Sequence, residues 1–132
     1  MSERHIPRVL VVDDEERVRG LLCDLLAAWG CQAVEAANGA QALTLFEAND
    51  YDLVLTDFLM PDRNGLEVIR GVREKDATIG VIMFTASAAD LEADSRDLEF
   101  TLLTKPLQLD GLKGAVSQAL RRGSRGTPAA LR

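Results

Sequence analysis

The sequence predicts an α/β fold: a doubly wound, five-stranded parallel sheet with helices on both faces. Two observations and one general rule predict it. Short β-branched apolar runs alternate with stretches of helical periodicity along the whole chain. Such alternation needs right-handed crossovers, which bury a parallel sheet between helices. The chain has 132 residues, the size of one domain with one core. The strand order 2-1-3-4-5 is expected by analogy with other doubly wound folds.

The first strand is Arg8 to Val12, RVLVV, which runs into Asp13-Asp14. A helix follows, because Val18, Leu21, Leu22, Leu25, Leu26 and Trp29 form one stripe. Asp14 is its expected N-cap, Glu15 and Glu16 suit the positive dipole end, and Gly30 stops it. Cys31 to Ala36 is a weaker strand, expected at an edge, and Asn38-Gly39 punctuates the chain after it. Ala40 to Ala48 is the second helix, packed through Ala42, Leu45 and Phe46. Trp29 and Phe46 are expected in the core.

The third strand ends the run YDLVLTD at Asp57. Burying a carboxylate costs several kcal/mol unless a cation or donors compensate, so its place is the carboxyl end of the strand. A loop covers Phe58 to Gly65, with Pro61 ending strand geometry and Asn64-Gly65 marking a turn. Leu66 to Glu74 is the third helix, with Leu66, Ile69 and Val72 or Arg73 along one side. Gly80 to Phe84 is a strongly apolar fourth strand ending at Thr85. Ser87 to Leu98 is the poorest helix, polar and acidic, anchored only by Leu91 and Leu98. Phe100 to Thr104 is the fifth strand, before Lys105-Pro106, and Leu109, Leu112, Val116 and Leu120 mark the last helix. Arg121 to Arg132, RRGSRGTPAALR, reads as frayed. The domain is placed at 1–121 and a flexible tail or linker stub at 122–132.

Composition narrows the function. Hydrophobic residues make up 47% and charged residues 27%, a globular balance, and the formal net charge of -6 argues against nucleic-acid or membrane-surface binding. No run of 18 apolar residues and no apolar leader is present, so a cytoplasmic protein is expected. Cys23 and Cys31 lack metal-ligand spacing and read as reduced, small apolar residues. His5, the only histidine, sits in a polar end and is expected to have no partner.

In a parallel sheet all carboxyl ends share one edge. Asp13 and Asp14, Asp57, Thr85 and Lys105 should therefore meet in one crevice. Three neighbouring carboxylates need a counter-charge. Mg²⁺ suits a site of few carboxylates and several waters. Asp57 beside a cation, a hydroxyl and an ammonium would surround an incoming phosphoryl group with charge and donors, giving an aspartyl phosphate.

The chain thus resembles the receiver domains of two-component response regulators, which share the flavodoxin-like fold. The resemblance rests on Asp13-Asp14, on Asp57 followed by Met60-Pro61 and Asn64-Gly65, on Thr85-Ala86 and on Lys105-Pro106. It covers roughly residues 8 to 121. It implies that Asp57 accepts a phosphoryl group from a phosphohistidine of a sensor histidine kinase or phosphotransfer protein. It further implies that Asp13, Asp14, the Asp57 carboxylate and the Leu59 backbone carbonyl hold Mg²⁺, and that Thr85 moves to a phosphoryl oxygen. By the same resemblance Lys105 pairs with the phosphoryl group and Lys105-Pro106 is cis. Output is then a change of protein–protein contacts, of which a phosphorylation-linked homodimer is one form, or it belongs to a longer regulator or hybrid kinase from which the receiver is cut; turnover catalysis is not expected.

Three departures qualify the resemblance. Leu102 stands where the family usually has Tyr or Phe, the partner of the Thr switch. The Asp90 to Glu99 segment is acidic and lacks the usual Gly-Ala turn. Leu59 and Ser87 occupy positions that tune dephosphorylation, and Leu59 has no group to orient a water. The alternatives are a pseudo-receiver working without phosphate, a metal-dependent phosphohydrolase, and a nucleotide- or flavin-binding protein. The phosphohydrolase would want an acid at 59, and Asp13-Asp14-Glu15-Glu16 would repel the phosphate of the third.

Overall fold

The computed structural model describes residues 5–122. Five strands, β1 (Arg8–Val12), β2 (Gln32–Ala36), β3 (Leu53–Asp57), β4 (Gly80–Thr85) and β5 (Thr101–Thr104), form one sheet in the order β2-β1-β3-β4-β5. Every pairing is parallel. The helices between and after them are α1 (Glu16–Ala28), α2 (Gly39–Ala48), α3 (Gly65–Lys75), α4 (Glu92–Asp97) and α5 (Leu109–Arg122). The expected class, order and edge position of β2 are all found.

Strand alternation sorts the core into two layers. Leu10, Val12, Val54, Val81 and Met83 face α2 and α3, packing with Phe46, Val68, Ile69, Val72, Leu91 and Phe100. Val9, Val11, Leu53, Leu55, Ile82 and Phe84 face α1 and α5, packing with Leu22, Leu26, Trp29, Leu112, Val116 and Leu120. β3 and β4 are buried throughout, which explains their unbroken apolar sequences. Trp29 and Phe46 lie in the core as expected.

Several local expectations are corrected. Asp14 is not the N-cap of α1: Glu15 holds that position with no side-chain cap bond, and Asp13 instead accepts the Glu15 N–H. Asn64-Gly65 is not a free turn but the start of α3. Asn64 accepts the Glu67 N–H while the Glu67 carboxylate accepts the Asn64 N–H, a complete capping box. Asn38 likewise caps α2 by accepting the Gln41 N–H, so that helix begins at Gly39. The poor fourth helix is a 3-10 turn, Ala89–Leu91, and the six residues of α4, with Leu91 buried. Gly30 does end α1, with φ of 89°. β2 and β5 each begin one residue later than read.

His5 does have a partner. Its Nε2 lies 2.9 Å from Asp52 Oδ1, and Asp52, buried at the amino edge of β3, also accepts the Arg8 N–H. Arg121 and Arg122, read as tail, close α5. The expected tail beyond them lies outside the described residues. Among those residues no helix is long and apolar enough to cross a membrane.

Candidate functional site

The carboxyl edge of the sheet gathers the singled-out side chains. β1 ends at Val12 and delivers Asp13, β3 ends at Asp57, β4 ends at Thr85, and β5 ends one residue before Lys105. Main-chain bonds fix these ends together: Asp13 N–H donates to Ala36 O, Phe58 N–H to Phe84 O, and Lys105 N–H to Thr85 O. Asp13, Asp57 and Thr85 are buried, while Asp14 is exposed.

One carboxylate oxygen from each of Asp13, Asp14 and Asp57 lies within 4.8 Å of the others. Lys105 Nζ sits 3.0 Å from Asp57 Oδ1, which also accepts the Phe58 N–H at 2.9 Å. A cavity of about 420 Å³ opens over Asp57, lined by Phe58, Leu59, Thr85, Ser87, Leu91 and Lys105. Leu59, two residues past Asp57, is 71% exposed at its rim. The Thr85 hydroxyl accepts the Ser87 N–H at 3.1 Å, so it is engaged with the β4–α4 loop. Lys105-Pro106 is cis, as expected.

Charge in this pocket is out of balance. Burial, and then the charge of Asp57, push the Asp13 carboxyl above its ordinary value, against the opposing Glu15 N–H and Lys105 ammonium. Oxygen ligands from three carboxylates, two of them buried, with an uncompensated charge, fit a hard divalent cation. The raised value also predicts a pH effect for the metal-free protein. A carboxyl with a raised folded pKa binds more protons folded than unfolded, so stability falls as pH rises from 3.8 through the folded value. Asp13→Asn should remove that fall, and urea midpoints across this range without Mg²⁺ will measure it.

Glycine 65 sets how closely α3 approaches the site. Its N–H donates to Phe58 O at 2.7 Å. A Cβ there would lie 2.6 Å from both the Asp57 carbonyl oxygen and Met83 Sδ. Gly65→Ala should therefore cost about 3 kcal/mol in overpacking, read as a lower denaturation midpoint.

Residues 9–117 match the sequence profile of the response regulator receiver domain. The chain belongs to that family. It is accordingly a receiver domain of two-component signalling. The receiver is 35% identical over 115 residues to Sporulation initiation phosphotransferase F of Bacillus subtilis (strain 168), covering 86% of this chain and 93% of that one. It is 36% identical over 130 residues to Transcriptional regulatory protein ResD of the same organism, covering 94% of this chain but only 52% of that one. Among solved structures, response regulator protein TrrA from Thermotoga maritima, in complex with Mg²⁺-BeF, aligns with a TM-score of 0.78 and 35% identity. That alignment covers 86% of this receiver and 99% of TrrA.

Sequence reasoning missed two supports of the site. Asp62, in the β3–α3 loop, accepts the N–H groups of Gly39 and Ala40 and so ties that loop to the start of α2. Those donors, Ala40 foremost, hold its carboxyl below the ordinary value. Arg19 donates to the Asp13 carbonyl at 2.7 Å. Neither stands in a local pattern that marks it, because each partner is contributed by a different element.

Proposed function

We propose that this receiver is a phosphorylation switch in which Asp57 takes a phosphoryl group from the phosphohistidine of a sensor histidine kinase or phosphotransfer protein. The observation that carries this reading is the meeting of Asp13, Asp14 and Asp57 at one edge with Lys105 Nζ 3.0 Å from the Asp57 carboxylate. An Asp57 oxygen attacks phosphorus, the P–N bond breaks, and the imidazole nitrogen leaves with the electron pair and takes a proton from solvent. Asp13, Asp14 and Asp57, with the Leu59 carbonyl, would hold Mg²⁺. Bound there, Mg²⁺ neutralises charge on the phosphoryl oxygens. Lys105 binds a phosphoryl oxygen with its ammonium, and burial of Asp57 strengthens that attraction.

Thr85 then exchanges its bond to Ser87 for one to a phosphoryl oxygen, which frees the β4–α4 loop. Leu102, half-buried against the α2–α3 layer, offers no ring to report that movement. Output therefore runs through the loop and the acidic α4 segment, as a change of protein–protein contact in the cytoplasm, including self-association. Leu102 also supports a second reading, a scaffold that works without phosphate.

Incubation with acetyl phosphate and Mg²⁺, followed by intact mass, separates the readings. One added phosphoryl group, absent with chelator, is the switch; no adduct is the scaffold; repeated turnover with released phosphate is an enzyme. Once formed, the aspartyl phosphate should be lost slowly, because exposed Leu59 cannot orient an attacking water. A decay complete within seconds would contradict this.

A further inference from the structure

Asp13 is held from three directions by groups that are not in the site. Its N–H donates to Ala36 O of β2 at 3.1 Å. Its Oδ1 accepts the Glu15 N–H at 2.9 Å. Its carbonyl oxygen accepts from Arg19 Nη1 at 2.7 Å, while Arg19 Nε donates to Glu35 Oε1 at 2.8 Å. Arg19 stands on the first turn of α1 with its side chain only 13% exposed. Glu35 stands on β2, in register with Val11 of β1. One planar guanidinium fork thus joins the edge strand, the first helix and the peptide that carries Asp13.

The placement of this cation matters. The charges that act on the Asp13 carboxylate are those of Asp57, Lys105 and Asp14. Arg19 instead bonds the main chain, and Glu35 balances its charge. It fixes the Asp13 peptide without occupying the oxygens that a metal would need.

We propose that Arg19, oriented by Glu35, is a positioning residue for divalent-cation binding. It keeps the Asp13 carboxylate in reach of Asp14 and Asp57. This rests on the reading of those three carboxylates as the Mg²⁺ site. Mg²⁺ demands near-ideal octahedral geometry, so a ligand whose peptide can drift loses affinity. Losing an outer-shell partner of this kind weakens metal binding by about tenfold or more.

The test is the Mg²⁺ Kd of the full chain by titration calorimetry, beside the thermal midpoint of each variant without Mg²⁺. Arg19→Met should weaken Mg²⁺ about tenfold. Arg19→Lys should not restore it, because an ammonium has no fork to span both acceptors. Glu35→Gln keeps the acceptor oxygen and should bind as the wild type does, whereas Glu35→Ala should be weakened. That contrast stands even if Arg19→Met fails to fold. A lowered midpoint with unchanged Kd in Arg19→Met or Glu35→Ala would make Arg19 merely structural and overturn the proposal. The control is Asp13→Asn. If the wild type binds no Mg²⁺, or Asp13→Asn binds it equally well, the metal site itself fails, and with it any role for Arg19; if only the control loses binding, Arg19 alone is refuted.

Discussion

Asp57→Asn should abolish phosphoryl uptake from acetyl phosphate completely, leaving the intact mass unchanged under conditions that add one phosphoryl group to the wild type. An amide keeps the size and the acceptor for the Phe58 N–H but loses the charged oxygen that attacks phosphorus. The same change removes one of three clustered carboxylates, so Mg²⁺ should bind at least about tenfold more weakly, as for losses in the shell around a metal. On the proposed function both effects belong to one residue, because nucleophile and cation ligand would share a carboxylate. Uptake at wild-type rate by Asp57→Asn would move the acceptor elsewhere. Retained uptake with lost Mg²⁺ affinity would separate the two roles.

Arg73→Met should destabilise the domain by about 3 kcal/mol, with little change in Mg²⁺ affinity, read by urea denaturation and calorimetry. Arg73 donates Nε to Leu98 O and Nη2 to Glu99 O at 2.8 Å each, and Nη1 to Ile79 O at 2.7 Å and Asp76 O at 3.2 Å. One guanidinium therefore joins the end of α3, the start of β4 and the turn between α4 and β5. Glu99 in that turn has φ of 56°, a conformation that a side chain disfavours and the clamp helps to hold. Methionine fills the apolar stem but leaves the carbonyls of the cross-link without their charged donor. Arg73→Lys should recover only part of the loss, since one ammonium cannot meet acceptors spread along two chain segments. A cost under about 1 kcal/mol would mean that water replaces the donor freely.

The sheet was legible because its signals are local. GVIMF in β4 and LVL in β3 are apolar on every residue, and both strands are buried on both faces. The site was legible because parallel topology puts every strand's carboxyl end on one edge, so distant residues such as Asp13 and Lys105 could be brought together without coordinates. Helix starts were less legible. The Asn64–Glu67 capping box is written in the sequence, yet Asn-Gly is equally a turn signal, and only tertiary packing decides between them. The Asp14 cap failed because α1 starts at Glu16, which puts Glu15 in the cap position, and Asp13 accepts the Glu15 N–H. His5–Asp52, Asp62 at the start of α2, and the Arg19 and Arg73 clamps are contacts between elements with no periodic or motif signature.

The central claim is that phosphoryl transfer goes to the carboxylate at the end of β3. Reduction of the acyl phosphate with borohydride, followed by peptide mass mapping, locates the modified side chain directly. The account predicts a single reduced residue, Asp57, formed only with Mg²⁺ present. Modification of another carboxylate, such as Asp52 at the opposite edge, or labelling of Asp57 that persists in chelator, would contradict it.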